Sequence, residues 1–212
     1  MPEFKTEPIV VPSDSGLLPA GERDRRVALT SFRGGDSRVQ VPTREVICYE
    51  CGSKSRVPSA ALSANCIHCH AHLNMADVEI RPGSRRLTVR TLGDVHVQPD
   101  TVLSHLSVVC RHMEVEGRVS GSFRCSGTLR FCESTRVGGT ISARRLVVDK
   151  GVQLELGSGA AAEEVEVYGQ LSGILQAKKK VTVYRGAVLE GNCKCPDIEV
   201  RPGGRYVGND SY

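Results

Sequence analysis

The segment Gly139-Thr-Ile141-Ser-Ala143, followed after two arginines by Leu146-Val-Val148, contains the pattern that decides the fold. Apolar or small residues stand two positions apart in it, which directs them to one side of a β-strand. The same arrangement recurs along the chain, and its short triplets begin at residues 113, 129, 146, 165, 181 and 198. The spacing is therefore 16 to 19 residues. Such a period, rich in glycine and without helical spacing, predicts a solenoid of β-coils.

Stacking of the repeats is required by the small number of apolar residues in each one. A single coil has only about four inward side chains, too few to offset the entropy lost on ordering it. Neighbouring coils therefore have to pair through their backbones, about 4.8 Å apart. We expect an all-β fold, a β-helix of about six coils. The inward pairs of its triplets are Met113/Val115, Leu129/Phe131, Leu146/Val148, Val165/Val167, Val181/Val183 and Ile198/Val200.

The corners of the coils are predicted from glycine. A small residue precedes a glycine by four positions in most repeats, as in Gly169/Gly173 and Ala187/Gly191. Glycine accepts a positive φ and allows adjacent coils to approach closely. The coil that starts at Leu146 differs, because Gly151-Val-Gln-Leu-Glu-Leu-Gly-Ser-Gly-Ala160 is longer and lacks this step. It predicts a bulged or looped corner.

Composition divides the chain into four parts. Residues 1–42 are rich in proline, serine, glycine and charge and are expected to form a disordered tail. A zinc ribbon is predicted over 43–82, the β-helix over 83–208, and a short C-terminal tail over 209–212. The sequence has no run of about 18 apolar residues, and its start is unlike a secretory signal. We therefore expect no membrane-spanning helix. Four of the nine cysteines form a metal pattern and most of the others fall in repeat positions, so we expect the reducing cytoplasm rather than an oxidising compartment.

Four of the nine cysteines have metal-ligand spacing. They form two CxxC motifs, Cys48-Tyr-Glu-Cys51 and Cys66-Ile-His-Cys69. Each CxxC turn can present two sulfurs to one shared ion. We expect one structural Zn²⁺, since four thiolates leave no open position for catalysis. The neighbouring His68, His70 and His72 are interpreted as surface residues, although one of them is an alternative ligand.

The remaining cysteines are interpreted as packing residues. Register places Cys193 where Phe123 and Leu175 stand, and Cys195 where Cys125 stands, which are all inward positions. A free cysteine acts there as a small apolar residue rather than as half of a redox pair. Cys110 and Cys132, which have no partner cysteine in the pattern, are predicted to be structural or incidental.

Charged residues cluster at one corner of successive coils. Arg144-Arg145 is followed by Glu163-Glu164 and then by Lys178-Lys179-Lys180 at the equivalent position. Stacking predicts a ladder of opposite charges along one edge. The alternative, a phosphate-binding surface, finds little support because aromatic residues for base stacking are few.

The repeats resemble the bactofilins, bacterial polymer-forming cytoskeletal proteins, over about residues 87–208. The resemblance is carried by Glu116-Gly-Arg-Val-Ser-Gly121, Gly139-Thr-Ile-Ser-Ala143-Arg-Arg-Leu-Val-Val-Asp149, Val165-Glu-Val-Tyr-Gly-Gln-Leu-Ser-Gly173 and Val181-Thr-Val-Tyr-Arg-Gly-Ala-Val-Leu-Glu-Gly191. It implies a right-handed, roughly triangular β-helix that polymerises end to end without a nucleotide. It also implies a scaffolding role in filaments or patches, often peripheral to the inner face of the cell membrane.

The open ends of a solenoid predict self-association independently, because their strand edges have unpaired backbone groups. Tyr206 and Val207, in the last partial strand, are candidate residues of the polymer interface. The ribbon is then a docking module for a protein partner. An enzyme is not expected, since the repeat has no six-residue step and His96, His105 and His112 precede the regular coils. The alternative function is a nucleic-acid- or transcription-associated protein that binds through the ribbon and uses the β-helix for oligomerisation.

Overall fold

The computed structural model describes residues 41–208 of the 212-residue chain. The described residues fold entirely into β-strands, turns and bends. They include no helix that is long and apolar enough to cross a bilayer. The predicted tails lie outside the described residues, apart from positions 41 and 42.

The N-terminal part of the described chain consists of two small antiparallel sheets. β1 (Thr43–Ile47) pairs with β2 (Lys54–Pro58), and β3 (Ser63–Asn65) pairs with β4 (His72–Asn74). Each pair of strands is joined by a loop that contains one CxxC motif. This is the arrangement that a zinc ribbon requires.

The rest of the described chain is one parallel sheet wound into coils. Parallel pairing follows from the solenoid, because equivalent strands of successive coils run in the same direction. The strands are β5 (Val78–Ile80), β6 (Thr88–Arg90), β7 (Val95–Val97), β8 (Val102–Cys110), β9 (Met113–Val115), β10 (Arg118–Phe131), β11 (Thr135–Val137), β12 (Ile141–Val148), β13 (Gln153–Leu156), β14 (Ala160–Val167), β15 (Gln170–Val183), β16 (Val188–Lys194), β17 (Ile198–Val200) and β18 (Arg205–Val207).

The six predicted triplets stack in the expected register. Leu129 pairs with Leu146, and Leu146 pairs with Val165. Val165 pairs in turn with Val181, and Val181 with Ile198. The prediction of an all-β solenoid is therefore confirmed.

The solenoid has about eight coils, two more than the repeat predicted. Val78-Glu-Ile80 pairs with Val95-His-Val97, which pairs with Met113-Glu-Val115. The first coil thus begins at Val78, ahead of the domain boundary expected at residue 83. These three triplets start 17 and 18 residues apart, which fits the repeat of the later coils. The glycine pattern does not reveal them, because Gln98-Pro-Asp100 stands in place of the glycine corner of the later coils.

The corner after Leu156 is looped, as the sequence predicted. β10 and β15 are continuous 14-residue strands through the equivalent position. Here the strand stops, and Gly157-Ser-Gly159 separates β13 from β14. The looped corner is accommodated within the stack, since Leu154 pairs with Leu171 and Ala160 with Leu175.

Inward side chains of all three sides of the coils form one continuous core. Leu129, Leu146, Val167 and Val181 are fully buried within it. Burial of such aliphatic side chains contributes roughly 1.5–3 kcal/mol each. Because successive coils supply equivalent side chains, the core is a column of stacked aliphatic layers.

The predicted charge ladder is present at the corner that precedes the triplets. Arg145 contacts Glu164 at 3.3 Å, and Lys179 contacts Glu163 at 2.9 Å. Lys180 extends the ladder to Glu199 of the last coil, at 2.6 Å. These pairs are partly exposed, so each contributes at most about 1 kcal/mol.

Candidate metal centre and open end of the solenoid

Two equivalent turns hold the four predicted ligands. The Gly52 amide donates to the Cys48 carbonyl, and the His70 amide donates to the Cys66 carbonyl, both at 2.9 Å. Gly52 and His70 have positive φ angles of 72° and 58° at the same position of each turn. The repeated turn aims both cysteine pairs at a shared point.

The four sulfurs have the separations of ligands on one tetrahedral ion. All lie within 4.8 Å of one another. Cys48 Sγ is 3.7 Å from Cys69 Sγ, and Cys51 Sγ is 3.6 Å from Cys66 Sγ. A zinc–sulfur bond of about 2.3 Å in tetrahedral geometry places sulfurs about 3.8 Å apart. The residues present therefore fit a Zn²⁺ ion.

The thiols differ in acidity because the backbone favours some thiolates. Hydrogen bonds from the Ser53 hydroxyl and amide lower the pKa of Cys51 to about 6. Amides of Cys69 and His68 lower the pKa of Cys66. The Ala71 amide also favours the Cys69 thiolate, yet burial and the other three sulfurs outweigh it and raise that pKa to about 12. Four adjacent thiolates need a cation to compensate their charge.

The three histidines of the second turn stay outside the cluster of sulfurs. His68, His70 and His72 are exposed, and none belongs to the group of possible ligands. The surface interpretation is consistent with this placement. The Tyr49 hydroxyl donates to the His72 carbonyl at 2.6 Å, which ties the two turns together through the backbone instead.

The ribbon is joined to the first coil by contacts that the motifs did not predict. Leu92 of the solenoid packs against the ribbon core, which includes Met75 and Cys66. The buried Thr91 hydroxyl donates to the Ala76 carbonyl at 2.6 Å. Arg90 pairs with Glu50, which stands between the two cysteines of the first turn. A metal bound to these cysteines would thus also order one corner of the first coil.

The remaining cysteines lie at packing positions. Cys193 pairs in register with Leu175 and is buried, and Cys195 packs at the edge of the same core. Cys110 has a partner that the sequence did not suggest, since its Sγ lies 3.4 Å from that of Cys125 in the next coil. Proximity of the two thiols and burial raise the pKa of Cys125. Such thiols are poor nucleophiles.

The last coil is much less covered than the coils before it. β17 pairs with β15, and β18 pairs with β16, each along one edge among the described strands. Val200 is 43% exposed, whereas its partner in register, Val183, is fully buried. Tyr206 lies half-buried over Leu189 and Val207 points outward, so the two predicted interface residues face different directions.

These features define the protein as a β-solenoid with a four-cysteine centre beside its first coil. Residues 75–158 match the family model of the bactofilins, described as polymer-forming cytoskeletal. The matched range includes the first five triplets of the solenoid and is less than half of the chain. It supports the resemblance that the repeat motifs suggested. No curated protein and no solved structure matches the chain.

Proposed function

We propose that this protein is a structural scaffold of the cytoplasm that assembles end to end into a cytoskeletal polymer. The family match, whose description names polymer formation, supports this function. The observation that carries it is the last coil, whose outer edge pairs with no other strand of residues 41–208. We assign no catalytic role to the protein.

We expect the polymer to grow at the last coil, because backbone groups on its outer edge have no strand partner among the described residues and its apolar side chains are exposed. The outer edges of β17 and β18 offer amides and carbonyls for pairing, a feature that isolated proteins usually cover. A second copy stacked there would bury Val200 and Ile198, just as Val183 and Val181 are buried inside the solenoid. Such pairing and burial need no nucleotide, so we propose a nucleotide-independent polymer.

The zinc ribbon serves in this proposal as a docking module for a protein partner. Its metal shell of four cysteines is closed, which suits a structural role rather than a catalytic one. Ile67, at the tip of the second turn, and Leu62 are each 69% exposed. Exposed aliphatic side chains on so small a module favour protein contact.

The first prediction is that Val200→Lys blocks assembly, whereas Val102→Lys does not. Both valines are exposed, at 43% and 73%, but only Val200 belongs to the uncovered last coil. A lysine there places a charge in the stacked joint. Electron microscopy and sedimentation should show wild-type filaments without added nucleotide and at least a tenfold smaller pelleted fraction for Val200→Lys.

Two results would contradict the proposal. Wild-type protein that stays as single particles at high concentration would exclude end-to-end assembly. Filaments formed equally well by Val200→Lys would exclude the last coil as the joint. Val102→Lys controls for the effect of adding a surface charge to a solenoid of the same length.

A further inference from the structure

Two cysteines of neighbouring coils are stacked directly on one another in the core. Cys110 ends β8, and its partner in register on the adjacent parallel strand β10 is Cys125. Their sulfurs lie 3.4 Å apart, closer than the ribbon sulfurs at 3.6 and 3.7 Å. Within residues 41–208, the group of possible metal ligands is confined to the ribbon. A shared metal ion therefore does not account for the contact between these two sulfurs.

Packing alone does not require two stacked cysteines at this position. The same inward column continues in the later coils with Ala143, Ala162 and Ala177. Alanine thus fills the position in those coils, and the sulfurs of Cys110 and Cys125 add a reactive group to it. Alanine is for the same reason a well-matched replacement for either cysteine.

The backbone holds the two residues at a distance that a disulfide can span. Paired strands lie about 4.8 Å apart, and disulfides join Cα atoms separated by about 4.4–6.8 Å. Side chains of residues in register point to the same side of a sheet. Both sulfurs therefore reach bonding distance by rotation about the Cα–Cβ bonds. The bridge would close a loop of a single coil, since the two cysteines are 15 positions apart.

A surface groove gives an oxidant access to one of the two thiols. Cys125 is only 4% exposed, but it belongs to the lining of a groove of about 300 Å³. The charged residues of this lining are Arg144, Lys178 and Glu163. Two cations against one acid favour an oxidant that carries carboxylates, such as oxidised glutathione. A small opening of the strand edge then brings it to the Cys125 sulfur.

The backbone near Cys110 has irregular features that a covalent bond would reinforce. In the same coil, Asp100 and His105 adopt positive φ angles of 60° and 61°, which residues other than glycine rarely take. The register of β8 against β10 also shifts between Val119 and Gly121. Both features weaken the contact between the second and third coils, so this is a place where the strand edge opens.

We propose that Cys110 and Cys125 form a site of reversible disulfide formation that fastens the second coil to the third. In the reducing compartment that the cysteine pattern predicts, both residues remain thiols. The bridge forms when a disulfide oxidant such as oxidised glutathione accumulates. This inference does not rest on the proposed polymer, because both cysteines belong to one chain.

The bridge forms by two successive thiol–disulfide exchanges. Cys125 loses its proton to water, and its thiolate attacks oxidised glutathione, whose sulfur–sulfur bond breaks and releases one glutathione thiolate. Cys110 then loses its proton and attacks the Cys125 sulfur, which releases the second. Both leaving thiolates take up protons, so oxidised glutathione is reduced to two thiols as the cysteines are oxidised. The hydrogen bond with Cys110 and burial raise the pKa of Cys125, which makes the first exchange slow.

The second prediction is that the full chain, with zinc added, forms this bridge in a buffer of oxidised glutathione. After blocking of free thiols and digestion with trypsin, mass spectrometry should find residues 91–111 joined to residues 125–130. The same product should appear when urea-unfolded chain refolds in that buffer, because burial no longer slows the exchange. Cys132→Ala should form as much bridge as the wild type, and Cys125→Ala should form none.

The bridged protein should also resist unfolding better than its reduced form. A disulfide that closes a loop of about 15 residues lowers the unfolding constant on the order of a hundredfold, by restricting the unfolded chain. Urea unfolding in the Val200→Lys background, followed by circular dichroism, measures this difference for single subunits. Cys125→Ala, treated in the same way, should unfold identically with and without the oxidant.

Absence of the linked peptide from both the folded and the refolded samples would overturn the proposal. So would preferential pairing of either cysteine with Cys132, loss of the β-sheet spectrum on bridging, or equal stability of the bridged and reduced forms. A bridge found only after refolding, with the native spectrum and the gain in stability, supports the site and shows that burial protects the thiols.

Discussion

Among single residues, the corner glycines are constrained by backbone conformation and by the coil beneath them. Gly191 pairs with Gly173 and has a φ of 117°, and a Cβ at this position would overlap the Gly173 carbonyl. Gly151 also has a positive φ, 80°, but an added Cβ there would meet no atom within 4 Å. An alanine at Gly191 would therefore meet both backbone strain and a steric clash, whereas an alanine at Gly151 would meet backbone strain alone.

The third prediction is that Gly191→Ala destabilises the fold by about 3 kcal/mol or more, through both strain and overlap. Gly151→Ala should cost only about 1 kcal/mol, through its φ angle. Urea unfolding in the non-assembling Val200→Lys background measures both values. Equal losses in the two variants would mean that the close contact between coils is unimportant.

The cysteines of the solenoid show what the alternation of inward and outward residues predicts and what it misses. The alternation of inward and outward positions correctly placed Cys193 in the core, because strand geometry fixes which side a residue faces. It did not reveal the contact between Cys110 and Cys125, at 3.4 Å. That pairing depends on the register of β8 against β10, in a coil whose corner does not follow the glycine pattern.

At the level of the elements, the ribbon has a small apolar core, so we expect it to need a metal ion to fold. Val46, Val57, Leu73 and Met75 are its buried apolar residues besides the cysteines. A structural zinc ion can supply roughly 10 kcal/mol or more to such a module. The solenoid, in contrast, has a continuous apolar core, and residues 78–208 contain no group of three or more possible metal ligands.

The fourth prediction is that a strong zinc chelator unfolds the ribbon and leaves the solenoid folded. Proteolysis should then cut within residues 43–74, while the β-sheet circular dichroism persists. Cys66→Ser should release the metal, and Cys132→Ser, in the solenoid, should retain it. A ribbon that stays resistant to protease after complete metal removal would show that its apolar core suffices.

In the whole molecule, the position of the first coil decides which deletions are informative. All eight triplets lie after residue 77, so removal of residues 1–75 keeps every coil. Removal of residues 1–82 would take away β5, which pairs with β7.

The fifth prediction is that the chain starting at residue 76 still assembles end to end, because the last coil is unchanged. Filament formation is measured by electron microscopy and sedimentation, with circular dichroism as the check on folding. A folded but non-assembling product would assign the joint to the ribbon or the N-terminal segment.

The sequence by itself determined the all-β class, the solenoid and its register after residue 113, and the four cysteines of the candidate metal centre. These properties follow from local rules, since side-chain alternation and ligand spacing can be read along a single strand or turn. Only the tertiary structure decided the first two coils and the attachment of the ribbon through Arg90 and Leu92. Both depend on contacts between residues that are far apart in the chain, in the stacking of coils and in the packing of the ribbon against the first of them.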